Sequence, residues 1–270
     1  MEAARDVNIS VLTCHAVGAT YGGSNDNSVE ILNRFSALNS TTPIVFSHGT
    51  SLNIYEANLL RKYNHFIAIV PDADHHYGFD MSSNGLILDQ PALGADTHST
   101  FSGDLITQAR FWLQTVRLKR YKRVLDTLNI PANNPMRVNQ AFMLITRNGA
   151  MALQRDDLGV IAPGAKADIA VFRGDSPNMI GWKDPIAAVI LHSNLGDIEH
   201  VLVDGKFVKR DGELVGVDKR TKERFLTSAR RIQGALTATP AMPLQGKYLE
   251  GSEYVMTDVV DVLRGPGNGY

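Results

Sequence analysis

The sequence predicts an α/β protein: a parallel sheet with helical crossovers, followed by a small all-β unit. Three observations predict this. Short apolar runs alternate with segments of helical spacing over the first half; those runs lead into histidines and acidic residues; and the texture changes after residue 154 to short strand patterns with turn residues.

The runs at 9–14, 43–47, 66–70 and 92–95 are rich in Val, Ile, Leu and Phe and are too short for buried helices, so they read as strands. Between them, Val29, Ile31, Leu32 and Phe35, and then Tyr55, Leu59, Leu60 and Tyr63, recur at helical spacing. After the fourth run, Leu105, Ala109, Trp112, Leu113 and Val116 form an apolar stripe, with Asp104 at the helix start where the macrodipole favours an anion. A further helix is predicted over 138–153. Alternation of this kind argues a parallel sheet with right-handed crossovers. Beyond residue 154, strands are predicted at 158–161, 168–173, 187–191 and 200–203, with a hairpin over 201–208 turning on Asp204-Gly205. Residues 218–236 read as an amphipathic helix, and the Pro- and Gly-rich remainder to Tyr270 as loosely ordered. The organisation expected is therefore 1–153, 154–216, and 217–270 as helix and tail.

With 270 residues, 44% apolar and 20% charged, the chain can bury a sizeable core. A formal charge of −1 with scattered Lys and Arg offers no stripe for phosphates, so no nucleic-acid partner is expected. Cys14 is the only cysteine, which rules out an intrachain disulfide and fits a reducing, cytoplasmic setting. The polar N-terminus lacks the basic-then-apolar pattern of a signal peptide, and no apolar stretch reaches spanning length, so no membrane association is expected.

The residues just beyond each strand carry the chemistry. The first run leads to His15, the second to His48, the third into Pro71-Asp72-Ala73-Asp74-His75-His76, and the fourth to Asp96 with His98 beyond. In parallel β/α architectures the C-terminal strand ends share one mouth, so these imidazoles and carboxylates are delivered together. Such donors suit zinc or iron, with a coordination position left for water. Taken singly, each has an ordinary alternative: a strand-end His is commonly a polar surface residue, Asp96 could cap the next helix, and the 72–76 cluster could be a solvated loop. His65, His192 and His200 fall in or beside strand patterns away from the mouth and read as structural, and Lys166 lies in a turn. Gly22-Gly23 and the C-terminal glycines lack the strand and helix that a phosphate loop needs.

From about residue 9 to residue 216 the sequence resembles the amidohydrolase superfamily, in its cytosine-deaminase and chlorohydrolase-like branch. The resemblance rests on His15, Ser47-His48-Gly49, Leu93-Gly94-Ala95-Asp96, Thr146-Arg147-Asn148-Gly149-Ala150, the stretch 158–172 around Pro163-Gly164-Ala165-Lys166-Ala167-Asp168, and Val203-Asp204-Gly205-Lys206. It implies the C-terminal half of a TIM-type (β/α)8 barrel followed by a small β-sandwich-like domain. His15 would ligate one divalent ion, zinc or iron; His48 would hydrogen-bond or polarise a small nitrogenous substrate; Asp96 would bind the ion and take a proton from attacking water. His75, His76 and His98 are additional candidates. Two departures stand out. The His-x-His pair that the family's first strand supplies occurs nowhere in this sequence, and Gly18 stands where the deaminase branch places a proton-shuttling Glu. Two functions are compatible with this: a hydrolase of non-peptide carbon–nitrogen bonds, or a truncated, non-catalytic chain acting through a partner. A half barrel exposes strand edges, so a homo-oligomer or a missing N-terminal half is expected.

Overall fold

The structure, a computed structural model, describes residues 12–16, 28–49, 52–78, 89–97, 101–240, 247–248 and 252–258. The readings made for Gly18, Gly22-Gly23, His98 and most of the C-terminal tail lie outside them, as does the side chain of His15.

Strands β1 (Leu12–Ala16), β2 (Ile44–His48), β3 (Phe66–Ile69) and β4 (Pro91–Leu93) form one parallel sheet in chain order. The register sets Ala16 beside His48 and Ile69 beside Leu93, so the C-terminal ends lie along one edge of the sheet. Ile44, Phe46, Phe66, Ile67 and Ile69 are all at most 1% exposed, as expected of parallel strands covered on both faces. Helices α1 (Ser28–Arg34), α2 (Ile54–Tyr63), α3 (Pro71–His76) and α4 (Leu105–Leu125) follow the four strands in turn. Leu60 of α2 and Ala109, Trp112 and Leu113 of α4 complete the core against the sheet.

Local chemistry explains these boundaries. Asn53 and Glu56 close a capping box at the start of α2, with Asn53 Oδ1 accepting from the Glu56 N–H at 2.9 Å and Glu56 Oε2 from the Asn53 N–H at 3.1 Å. Burial pushes the Glu56 carboxyl above its ordinary range. His65, fully buried ahead of β3, accepts from the Ile44 N–H at Nδ1 (3.3 Å) and donates from Nε2 to the Leu38 carbonyl (2.8 Å), which fits the structural role expected of it.

Burial holds the His65 pKa below its ordinary 6.5. The unfolded chain therefore binds a proton that the folded chain refuses, and stability should be full above about pH 6.5 and fall as the pH is lowered through that value. Urea midpoints at neutral and mildly acidic pH are expected to drop more for the parent chain than for His65→Gln; equal drops would refute this.

Three expectations need correction. The helix predicted over 138–153 is two helices, α5 (Val138–Leu144) and α6 (Arg147–Ala152), because Thr146 Oγ1 donates back to the Phe142 carbonyl at 2.8 Å and Thr146 leaves helical geometry. The run at 187–191 is helical, not a strand: α7 (Pro185–Ala187) continues as a π turn over Ala188–His192. Its start was readable, since Asp184 caps the backbone N–H groups of Ile186 and Ala187 and Pro185 takes the first helical position. Arg110 donates to the Ile190 and Ser193 carbonyls at its end (2.9 and 2.6 Å). The run at 158–161 forms no strand, because Gly159 is left-handed (φ +67°) and Arg147 Nη1 claims the Arg155, Asp156 and Leu158 carbonyls.

A separate antiparallel sheet contains β5 (Ile169–Phe172), β6 (Ile198–Val203), β7 (Lys206–Arg210) and β8 (Glu213–Leu214). Asp204 and Gly205 (φ 48° and 77°) both turn left-handed between β6 and β7, the geometry that joins a tight hairpin. Helix α8 (Lys219–Ala238) begins at the Asp218 cap, and β9 (Lys247–Tyr248) pairs with β10 (Ser252–Glu253). Among the described residues no helix is long and apolar enough to cross a membrane.

Candidate active site

Strand β2 ends on His48, which adopts a left-handed backbone (φ 68°), and Gly49 repeats it (φ 63°). A Cβ on Gly49 would meet Ile67 Cγ2 at 3.1 Å, so any other residue there would add left-handed strain and press on the buried Ile67 side chain. The turn leaves His48 4% exposed. A left-handed histidine costs on the order of 1–2 kcal/mol and persists only where its surroundings hold it.

The holding group is Asp74. His48 Nδ1 lies 2.8 Å from Asp74 Oδ1, and neither residue is appreciably exposed. The carboxylate accepts and the imidazole N–H donates, which places the proton on Nδ1. Asp74 reaches this position because Pro71 starts α3 immediately after β3, with the Asp74 N–H donating to the Val70 carbonyl at 2.9 Å. Its second oxygen, Oδ2, is buried without a hydrogen-bond partner among the described residues, a state that native interiors seldom tolerate.

The fully buried Gln108 of α4 anchors α3 from behind. Its Oε1 accepts from the Asp72 N–H (3.0 Å) and its Nε2 donates to the Ser102 carbonyl (3.1 Å), while Asp72 Oδ2 accepts from the Ser102 N–H (3.1 Å). The end of β3 is thus tied to the segment after β4. Asp104 caps α4, accepting from the Thr107 N–H at 2.7 Å and from Ser102 Oγ at 2.6 Å. Burial pushes its carboxyl up, but these hydrogen bonds outweigh that and hold it below the usual carboxylate range.

The cap of α4 is therefore Asp104, not Asp96. Asp96 stands three residues beyond β4, exposed and left-handed (φ 54°). His15 lies in β1 with its backbone beside Ser47, one register position before the pairing of Ala16 with His48. The cluster at 72–76, weighed as a solvated loop, is helix α3. Its two histidines are exposed: His75 donates to the Pro71 carbonyl and contacts Thr115 Oγ1 (2.9 Å) and the Phe111 ring, while His76 packs edgewise on Tyr77 and Phe101. Among the described residues no three His, Cys, Asp or Glu side chains converge as a metal-binding group. Of the expected ligands, Asp96 alone has a described side chain. The imidazole of His15 and the carboxylate of Asp96 belong to the two outer strands of the sheet, β1 and β4, and are donors of the kind that zinc and iron take.

Sequence reasoning named Asp74 only as a member of the 72–76 cluster, without a role of its own, and it missed Gln108. For Asp74 a signal existed: an apolar run broken by Pro71, with Asp72 and Asp74 next, is a helix start that aims its first turn at the strand ends. For Gln108, a polar residue beside an apolar stripe, no such signal exists.

A model described as the amidohydrolase family matches residues 15–208. The 5-methylthioadenosine/S-adenosylhomocysteine deaminase of Pyrococcus horikoshii is 26% identical over 199 residues, 73% of this chain and 45% of that protein. The 5'-deoxyadenosine deaminase of Methanothermobacter thermautotrophicus is 31% identical over 36% of this chain and 22% of that protein. Among solved structures, an adenosine deaminase from Xanthomonas campestris with bound zinc superposes with a TM-score of 0.68 at 16% identity, covering 88% of this chain and 53% of that one. An atrazine chlorohydrolase from Arthrobacter aurescens, complexed with zinc, gives 0.67 at 20% identity over 86% and 50%. These superpositions show the fold alone. The chain spans about half the length of the proteins it matches.

Proposed function

The chain belongs to the amidohydrolase family, and from that premise we propose that it hydrolyses a non-peptide carbon–nitrogen bond of a small nitrogenous ring compound. We read its parallel sheet as the C-terminal half of a (β/α)8 barrel over 1–153, with a small β-sandwich-like domain over 154–216. The observation that carries the functional reading is the buried His48–Asp74 pair at the end of β2, on the same edge of the sheet as Asp96 and His15. The matching proteins are named for deamination of adenosine derivatives or for atrazine chlorohydrolysis, which favours a heteroaromatic ring with an exocyclic amino group as substrate.

In this mechanism Asp74 fixes the tautomer of His48, so that in a neutral ring Nε2 is the unprotonated nitrogen that orients the substrate. Asp96 takes a proton as water attacks the ring carbon and returns it to the exocyclic nitrogen, which leaves as ammonia. The carbon–oxygen bond forms and the carbon–nitrogen bond breaks without change of oxidation state. A zinc or iron ion held by His15 and Asp96 would supply Lewis-acid polarisation and activation of water near neutral pH.

The test is metal content by elemental mass spectrometry beside ammonia release from adenosine, for the parent chain and for Asp96→Asn. About one ion per chain, lost in the variant together with ammonia release, is the expected result. Folded protein with neither metal nor turnover would sink the proposal. It would favour a second reading, a non-catalytic chain acting through a partner, which draws on β1 and β4 each pairing on one side only among the described residues.

A further inference from the structure

On the buried face of α4, among Ile106, Ala109 and Trp112, Gln108 is a polar side chain without exposure. Burying a primary amide is costly unless both of its ends are bonded. Here both are, to the backbones of two different segments: Oε1 accepts from the Asp72 N–H at 3.0 Å and Nε2 donates to the Ser102 carbonyl at 3.1 Å. Ser102 is held at each of its polar groups, because its N–H donates to Asp72 Oδ2 at 3.1 Å and its Oγ to Asp104 Oδ2 at 2.6 Å. The two segments joined in this way carry the two acids of the candidate site. Asp72 lies in the first turn of α3, two residues before Asp74, whose carboxylate holds His48 Nδ1 at 2.8 Å. Ser102 follows Phe101, whose N–H donates to the Thr97 carbonyl at 3.1 Å, immediately beyond Asp96.

We propose that Gln108 is a positioning residue: its amide sets α3 against the segment after β4, and so fixes both the Asp74–His48 pair and the placement of Asp96. An apolar side chain of equal length would fill the same space, so packing alone does not call for an amide. What the site requires is one acceptor toward Asp72 and one donor toward Ser102. An ionised glutamate offers two acceptors and would set a carboxylate oxygen against the Ser102 carbonyl, whereas a protonated one restores the donor–acceptor pair. The effect of Gln108 on turnover rests on the proposed hydrolysis; its effect on His48 does not.

The test compares Gln108→Met, Gln108→Glu and Asp72→Ala with the parent chain, by nitrogen-15 histidine spectra and by steady-state ammonia release from adenosine. In Gln108→Met the His48 ring is expected to lose its single Nδ1-protonated form and show both tautomers. Its kcat should fall about 10–100-fold with KM little changed, the scale of a misplaced catalytic group. Between pH 8 and 6, Gln108→Glu should return toward the parent as its buried carboxyl takes up a proton, each reading being taken as a ratio to the parent at the same pH. Asp72, only partly buried, loses one hydrogen bond on replacement by Ala, and a smaller change of the same kind is expected even where Gln108→Met does not fold. Parental His48 signals in both folded Gln108→Met and Asp72→Ala, a lowered Tm with kcat unchanged, or a Gln108→Glu defect of the same factor at every pH would each overturn the proposal. A parent chain that releases no ammonia, but whose His48 tautomer responds to Gln108→Met, would remove the hydrolytic reading and support the positioning role.

Discussion

Asp74→Asn is expected to lower the proposed turnover by about 10²–10⁴-fold while changing KM little. The amide is nearly isosteric with the carboxyl but neutral, and one of its two ends is a donor. With its oxygen toward His48 Nδ1 it loses the charge that steadies the ring; with its N–H there the ring must carry its proton at Nε2, presenting a donor where the mechanism requires a lone pair. Asp74→Ala should add a folding penalty of about 1–3 kcal/mol, since it leaves the buried His48 N–H unpaired and strands the residue at a left-handed position. The two variants separate chemistry from stability: Asn should melt near the parent, Ala well below it. Nitrogen-15 histidine spectra report the tautomer directly and need no turnover. An Asn variant that keeps the parental tautomer and more than half the parental turnover would remove Asp74 from the site.

The sequence made the parallel sheet legible because its signal is local. Buried parallel strands are continuous apolar runs, and all four sheet strands lie within two or three residues of those runs. The hairpin on Asp204-Gly205 was legible for the same reason, as two residues dictate its turn. The misread run at 187–191 shows where this ends: a short apolar segment has no period of its own, and only the Asp184-Pro185 start distinguishes helix from strand. The candidate site divides in the same way. His48 and Asp96 come after apolar runs and could be named from the chain alone. Asp74 could not be paired with His48, because the contact joins residues 26 apart and depends on α3 turning back over the end of β2. Both named residues prove to be left-handed, a strain that tertiary context imposes and that only the folded chain displays.

The largest effect expected on stability away from the site is at Gly159. Its φ is +67°, and an added Cβ would lie 2.9 Å from both Arg147 Cα and the Thr146 carbonyl oxygen, which are backbone atoms without freedom to withdraw. Gly159→Ala combines left-handed strain of about 1–2 kcal/mol with overpacking of about 1–3 kcal/mol, roughly 2–5 kcal/mol together. Gly164→Ala is the matched control, since its φ is +86° but nothing lies within 4 Å of the added Cβ, so only the backbone strain applies. The first is expected to lower Tm by about 5–15 °C and the second by about 2–6 °C. The damage should also travel. Arg147 Nη1 donates to the Leu158 carbonyl at 2.7 Å and heads α6, whose Asn148 donates to the Pro91 carbonyl at the start of β4. Forcing Gly159 away from Arg147 therefore pulls on the strand that leads to Asp96, and because Trp112, Pro91 and Asn148 line one pocket, the Trp112 indole signal in a nitrogen-15 spectrum should broaden or move in Gly159→Ala but not in Gly164→Ala. Equal melting of the two variants would mean that the turn yields at Arg147 without cost, and the junction between the helices and the antiparallel sheet would then be softer than its hydrogen bonds imply.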